Sequence, residues 1–152
     1  MKSRKNTIRK TKRNKRKGGS RQNMDIRYNS FVVDNNITTA RNTLSIPNIS
    51  LQPLKYSTLV MYDPDAVTSP GWLHYLVINI PNGDISKGDN IISYEGPSPP
   101  PGSGSHHYIF EQLSQTSPFT TSIQNRGEFN INQFKKQNNL FSRGKKQFIV
   151  NV

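Results

Sequence analysis

Apolar residues in this chain come in short bursts separated by turn formers. From Met24 onward, runs rich in Val, Ile, Tyr, Phe and Thr occupy residues 26–33, 54–62, 72–80, 108–113 and 147–152. Each is bounded by Pro, Gly, Asn or Asp, the pattern expected of β-strands. Pro81-Asn82-Gly83-Asp84 reads as a tight turn closing the third run. A single helix is predicted over 132–140, where Phe134 and Leu140 would share a core face and Asn130 would cap the start. The resulting expectation is a mostly β domain of antiparallel sheets with one or two short helices. No internal repeat interrupts it.

Alternation along strands assigns side chains to faces. In the 72–80 run it places Trp72, His74, Leu76 and Ile78 on one side. In the run that follows Gly104 it places His106, Tyr108 and Phe110 together.

Composition divides the chain in two. Of 152 residues, 21 are Lys or Arg and 9 are Asp or Glu, a net charge of +12. Eleven of the basic residues lie within residues 1–21, which carry no acid, so the remainder is close to neutral. Residues 1–23 hold almost no apolar side chains and are read as a disordered basic tail; residues 24–152 are read as one ligand-binding domain. The tail suits a solvated, solubilising segment, a nuclear-targeting signal, or an arm for an anionic partner, nucleic acid or an anionic membrane met through residues 1–21, and composition does not separate these. With no cysteine there are no disulfides, thiolate nucleophiles or Cys-based zinc sites. No apolar run is long enough to span a bilayer, and no apolar segment follows the basic leader as in a secretory signal. The expected location is intracellular and cytoplasmic.

The side chains capable of chemistry are concentrated in three stretches. Tyr62-Asp63-Pro64-Asp65-Ala66 ends a strand at a proline corner with two carboxylates. Asp65 in such a corner also suits an Asx turn that satisfies backbone amides. Trp72-Leu73-His74 opens the next strand, and Asp63 is a candidate partner for its imidazole. Gly96-Pro97-Ser98-Pro99-Pro100-Pro101-Gly102 is a stiff loop leading to His106-His107-Tyr108. A His ring and a Tyr hydroxyl beside such a loop suit a phosphate oxygen. A zinc site formed by His74, His106 and Asp63 competes with this reading, but there is no His-x-x-x-His spacing. A Ser–His–Asp hydrolase has candidate members but no Gly-x-Ser-x-Gly elbow. A glycosidase pair would need Asp63 and Asp65 to face each other.

These motifs, Asp-Pro-Asp-Ala at 63–66, Trp-x-His at 72–74, and Gly-Pro-x-Pro-Pro leading to His-x-Tyr at 96–108, resemble the phosphatidylethanolamine-binding protein family. Arg126-Gly127-Glu128-Phe129-Asn130 before the helix adds to the likeness, which runs from about Asp25 to Val152. The resemblance implies a β-sandwich-like fold whose small pocket binds phosphate-type anions or phospholipid head groups. It implies ligand-binding roles for Asp63, Asp65, His74, Pro99, Pro100, His106 and Tyr108, with no metal and no cofactor. Members act as binding and inhibitory modules, not enzymes, often towards a kinase or protease. The chain departs from the family at Val67, where Pro is usual, and at His107, where Arg is usual. Its 67–71 loop is short, as in bacterial members, and it lacks their animal relatives' rim Tyr and C-terminal helix. Its Asn- and Lys-rich composition also resembles proteins of large DNA viruses, for which a virion location would follow.

Overall fold

The computed structural model describes residues 23–152; the predicted basic tail, apart from its last residue, lies outside the described residues. Nine strands run in chain order: β1 Asp25–Tyr28, β2 Phe31–Val32, β3 Asn36–Thr38, β4 Asn48–Ser50, β5 Tyr56–Asp63, β6 Trp72–Pro81, β7 Asp89–Ile92, β8 Ser105–Ser114 and β9 Phe141–Asn151. One helix, α1, spans Ile131–Gln137, and single 3-10 turns occupy Ala40–Thr43 and Ile85–Lys87. The mostly β expectation holds.

The main sheet has the order β3-β9-β8-β5-β6-β7 and is antiparallel except where β3 runs parallel to β9. A small sheet, β2-β1-β4, packs over one face. Between the two lies a core in which Ile26, Leu59, Met61, Phe110 and Phe148 are fully buried. The opposite face carries a second core, where Val60, Leu73, Leu76 and Ile78 meet Phe129, Phe134 and Leu140 from the segment around α1. Strands β5 and β6 are apolar on both faces because both faces are covered.

Several predicted boundaries shift for identifiable reasons. The 26–33 run is a hairpin, not one strand: Asn29-Ser30 turns the chain so that Tyr28 opposes Phe31. The final strand begins at Phe141, well before residue 147, because its polar first half is exposed while its backbone pairs with β8. The helix ends at Gln137, and Leu140 is buried just beyond it. Asn130 caps α1 as expected, its side chain accepting from the Gln133 amide at 3.0 Å. The turn after β6 also forms, with Asn82 and Gly83 at positive φ and the Asp84 amide bonded to the Pro81 carbonyl.

Candidate functional site

Strand β5 lies between β6 and β8 and runs antiparallel to both, so its C-terminal end meets the starts of its two neighbours. Asp63, His74, His106 and Tyr108 therefore gather at one end of the sheet, although the sequence spreads them over 46 positions. They line a cavity of about 280 Å³. Ala66, Val67 and Thr68 from the β5–β6 loop form one wall, and Ser98, Pro99 and Pro100 form another. Trp72 and Glu95 complete the lining.

His74 reaches the cavity because of a backbone irregularity. Met61 pairs with Tyr75 and Tyr62 with Leu73, which leaves His74 as an extra residue on β6. A bulge of this kind re-aims a side chain. His74 and Tyr75 thus both lie on the first-core side, whereas Leu73, Leu76 and Ile78 belong to the second core. The expectation that His74 shares a face with Leu76 and Ile78 is corrected by this one inserted residue.

The two histidines have different partners. His106 places Nδ1 at 2.7 Å from Asp63 Oδ2, with both groups buried. Its Nε2 lies 2.8 Å from Ser103 Oγ, and that hydroxyl also donates to the Pro100 carbonyl at 2.6 Å. Both ring nitrogens of His106 are thus engaged within the protein. Asp63 serves His106, not His74. Its other oxygen accepts from the Asp65 amide at 2.8 Å, so the Asx turn at this corner is made by Asp63.

His74 Nδ1 donates to the Glu95 carbonyl at 2.7 Å, which leaves Nε2 as the second ring atom at the cavity. Burial lowers its pKa below the ordinary histidine value, outweighing the opposing hydrogen bond to Glu95 and the charge of Asp63. The imidazole is therefore neutral near pH 7, and Nε2 is a lone-pair acceptor.

Tyr108 is buried, stands edge-on to His74 with ring centroids 5.1 Å apart, and stacks on Phe148. Burial raises the pKa of its phenol, and the carboxylates of Asp63 and Asp65 raise it further. It stays a neutral donor, and its hydroxyl has no hydrogen-bond partner among the described residues. Thr68 Oγ1 is a second such group, buried and without a partner.

Pro99 and Pro100 stand in the wall as predicted from the motif, but Asp65 does not line the cavity. It is exposed at the rim, accepting from the His107 amide at 2.9 Å and lying 2.7 Å from that residue's Nδ1. Burial pushes its carboxyl up, and the hydrogen bonds from His107 outweigh this and hold it below the usual range. Asp63 and Asp65 thus serve separate histidines and form no facing pair. Among the described residues no group of three His, Asp or Glu side chains is arranged to hold a metal ion.

Sequence reasoning missed four contributors: Thr68, Glu95, Ser103 and Arg126. The Arg126 guanidinium bonds the carbonyls of Leu73, His74 and Ser93 and pairs with Glu95 at 3.0 Å. It braces the bulge and the loop that orients His74. Its place in the 126–130 motif was the available signal. The others act through loop geometry that spacing does not reveal.

Comparison with known proteins gives a consistent picture. The family model described as "Phosphatidylethanolamine-binding protein" matches residues 27–149. Among solved structures, a carboxypeptidase Y inhibitor complexed with its cognate proteinase is similar at 21% identity and a TM-score of 0.74, covering 85% of this chain and 82% of that one. A phosphatidylethanolamine-binding protein from Plasmodium vivax is similar at 23% identity and a TM-score of 0.66, covering 84% and 83%. YbcL from E. coli is similar at 20% identity and a TM-score of 0.57, covering 86% and 99%. At these identities the likeness is one of fold.

Proposed function

The chain belongs to the phosphatidylethanolamine-binding protein family, and from that premise we propose that its cavity receives a phosphate-type anion. The phosphate of a phospholipid head group or of a phosphorylated partner has this chemistry. The observation that carries the reading is the Tyr108 hydroxyl, which belongs to a cavity-lining residue and has no hydrogen-bond partner among the described residues. A neutral phenol with no protein acceptor is available to donate to an anion's oxygen. A volume of about 280 Å³ suits a head group. His74 adds a second donor once Nε2 takes up a proton. Asp63, turned towards His106 and the Asp65 amide, keeps its lone pairs off the incoming anion.

The test is thermal stabilisation of the full chain by inorganic phosphate and by phosphoethanolamine. A ligand at 100 times its Kd adds about 2.7 kcal/mol of stability. Tyr108→Phe keeps the ring stack on Phe148 and should lose most of that shift. A variant that retained the full shift would refute the site.

Residues 1–21 support a separate proposal, binding to nucleic acid or anionic membrane, on the strength of eleven basic side chains without an acid. Deleting them should abolish salt-sensitive binding to such polyanions and leave phosphate binding at the cavity intact. No helix among the described residues is long and apolar enough to cross a membrane.

A further inference from the structure

Asp63, His106 and Ser103 stand in a line that a ligand pocket does not require. The carboxylate Oδ2 is 2.7 Å from His106 Nδ1, and Nε2 is 2.8 Å from Ser103 Oγ. Asp63 and His106 are buried, while Ser103 sits on an exposed loop between Gly102 and Gly104, both at positive φ. This is the order of contacts by which a carboxylate fixes an imidazole tautomer and the imidazole activates a hydroxyl. The Gly-x-Ser-x-Gly elbow is absent from the sequence, but these contacts do not depend on it.

We propose that Ser103 is an activated nucleophile and that the chain hydrolyses small activated esters, beyond any binding role. Because Asp63 can only accept, Nδ1 of His106 carries a hydrogen; in the neutral ring Nε2 is then a lone pair directed at the Ser103 hydroxyl. The Pro100 carbonyl competes for the same hydrogen from 2.6 Å. The hydroxyl is thus poised between a structural turn and its base.

In the reaction, Ser103 Oγ forms a bond to the ester carbonyl carbon while its proton passes to His106 Nε2. The carbonyl electron pair moves onto oxygen, for which the unpartnered Tyr108 hydroxyl of the adjoining cavity is the candidate donor. Collapse breaks the bond to the alcohol oxygen, which leaves with the proton from Nε2. Water then repeats the sequence on the acyl-serine, releasing the acid and restoring the hydroxyl.

The experiment treats the full chain with a fluorophosphonate probe and with p-nitrophenyl acetate. The expected result is a covalent adduct mapped by mass spectrometry to Ser103, with a burst of p-nitrophenol. Ser103→Ala and Asp63→Asn should each lower labelling and turnover by about 100-fold or more, the latter by imposing the wrong imidazole tautomer. Ser105→Ala should leave both unchanged, since that hydroxyl is bonded to Asn151 away from His106. An adduct mapped elsewhere on the parent protein, or labelling undiminished in Ser103→Ala, overturns the assignment. The mapping on the parent chain stands even if a variant fails to fold.

Discussion

The Asp63–His106 contact yields a sharp stability prediction, because two substitutions at one atom position should behave differently. Asp63 accepts two hydrogens on separate oxygens, one from His106 Nδ1 and one from the Asp65 amide. Alanine removes both acceptors. The Asp65 amide lies at the surface and can turn to water, but buried His106 cannot. Losing a charge-assisted bond and leaving a buried polar atom unpaired costs about 2–4 kcal/mol. For a domain of this size that lowers Tm by roughly 6–15 °C. Asparagine should be far milder. Its carbonyl oxygen keeps the Asp65 amide, and its NH2 donates to His106 Nδ1 if the ring moves its hydrogen to Nε2. Nε2–H then donates to Ser103, whose hydroxyl already has Pro100 as an acceptor. Every group stays satisfied, so Asp63→Asn should melt within about 3 °C of the parent. Differential scanning calorimetry measures the two shifts, and 15N NMR reports the imidazole tautomer. If asparagine destabilised as much as alanine, or if the tautomer did not change, the hydrogen-bond assignment around His106 would be wrong.

Further outcomes concern binding and the second core. Because burial lowers the His74 pKa, the ring gains a proton most easily when an anion arrives. Binding of sulfate, which does not titrate near neutrality, should therefore tighten as pH falls below about 6.5. Calorimetry in buffers of different ionisation enthalpy should show proton uptake, and none would refute the role. The sign for folding is opposite: the unfolded chain binds this proton first, so the His74 contribution to stability of the unliganded protein declines as pH falls through 6.5 towards the lower folded value, as urea titrations across pH would show. Trp72 is the only tryptophan and lines the cavity, so phosphoethanolamine should change its emission; an unaltered spectrum at saturation would place the ligand elsewhere. Glu111 is fully buried, with Tyr62 Oη at 3.2 Å, Lys135 Nζ at 3.2 Å and Lys145 Nζ at 3.6 Å. Glu111→Ala should cost about 2–4 kcal/mol in urea unfolding, less than a fully enclosed pair because both lysines reach water.

The fold class and the site differ in how far the sequence reveals them. Long covered strands such as β5 and β6 announce themselves through unbroken apolar runs. Strands β3, β4 and β7 have three or four residues of mixed polarity and depend on neighbours that pattern cannot name. At the site, residues on regular strands were assignable: His106, Tyr108 and Phe110 share a face because β8 alternates cleanly there. His74 was assigned to the wrong face because one extra residue resets the alternation. Which histidine Asp63 would meet was also hidden, since that depends on β8 lying on the far side of β5 from β6. Ser103, Glu95 and Thr68 act through loop conformation, for which a sequence has no period.

The parallel pairing of β3 with β9 bears on how the protein is made. Asn36 lies opposite Phe148, and Thr38 opposite Val150. During synthesis β3 waits for a partner that leaves the ribosome more than a hundred residues later. Strand β9 is also the outer neighbour of β8, on which His106 and Tyr108 stand. The nascent chain therefore exposes one unfilled edge of its main sheet until β9 has been made. Closure of that sheet, and with it completion of the pocket, waits on long-range contacts, the slow kind in folding.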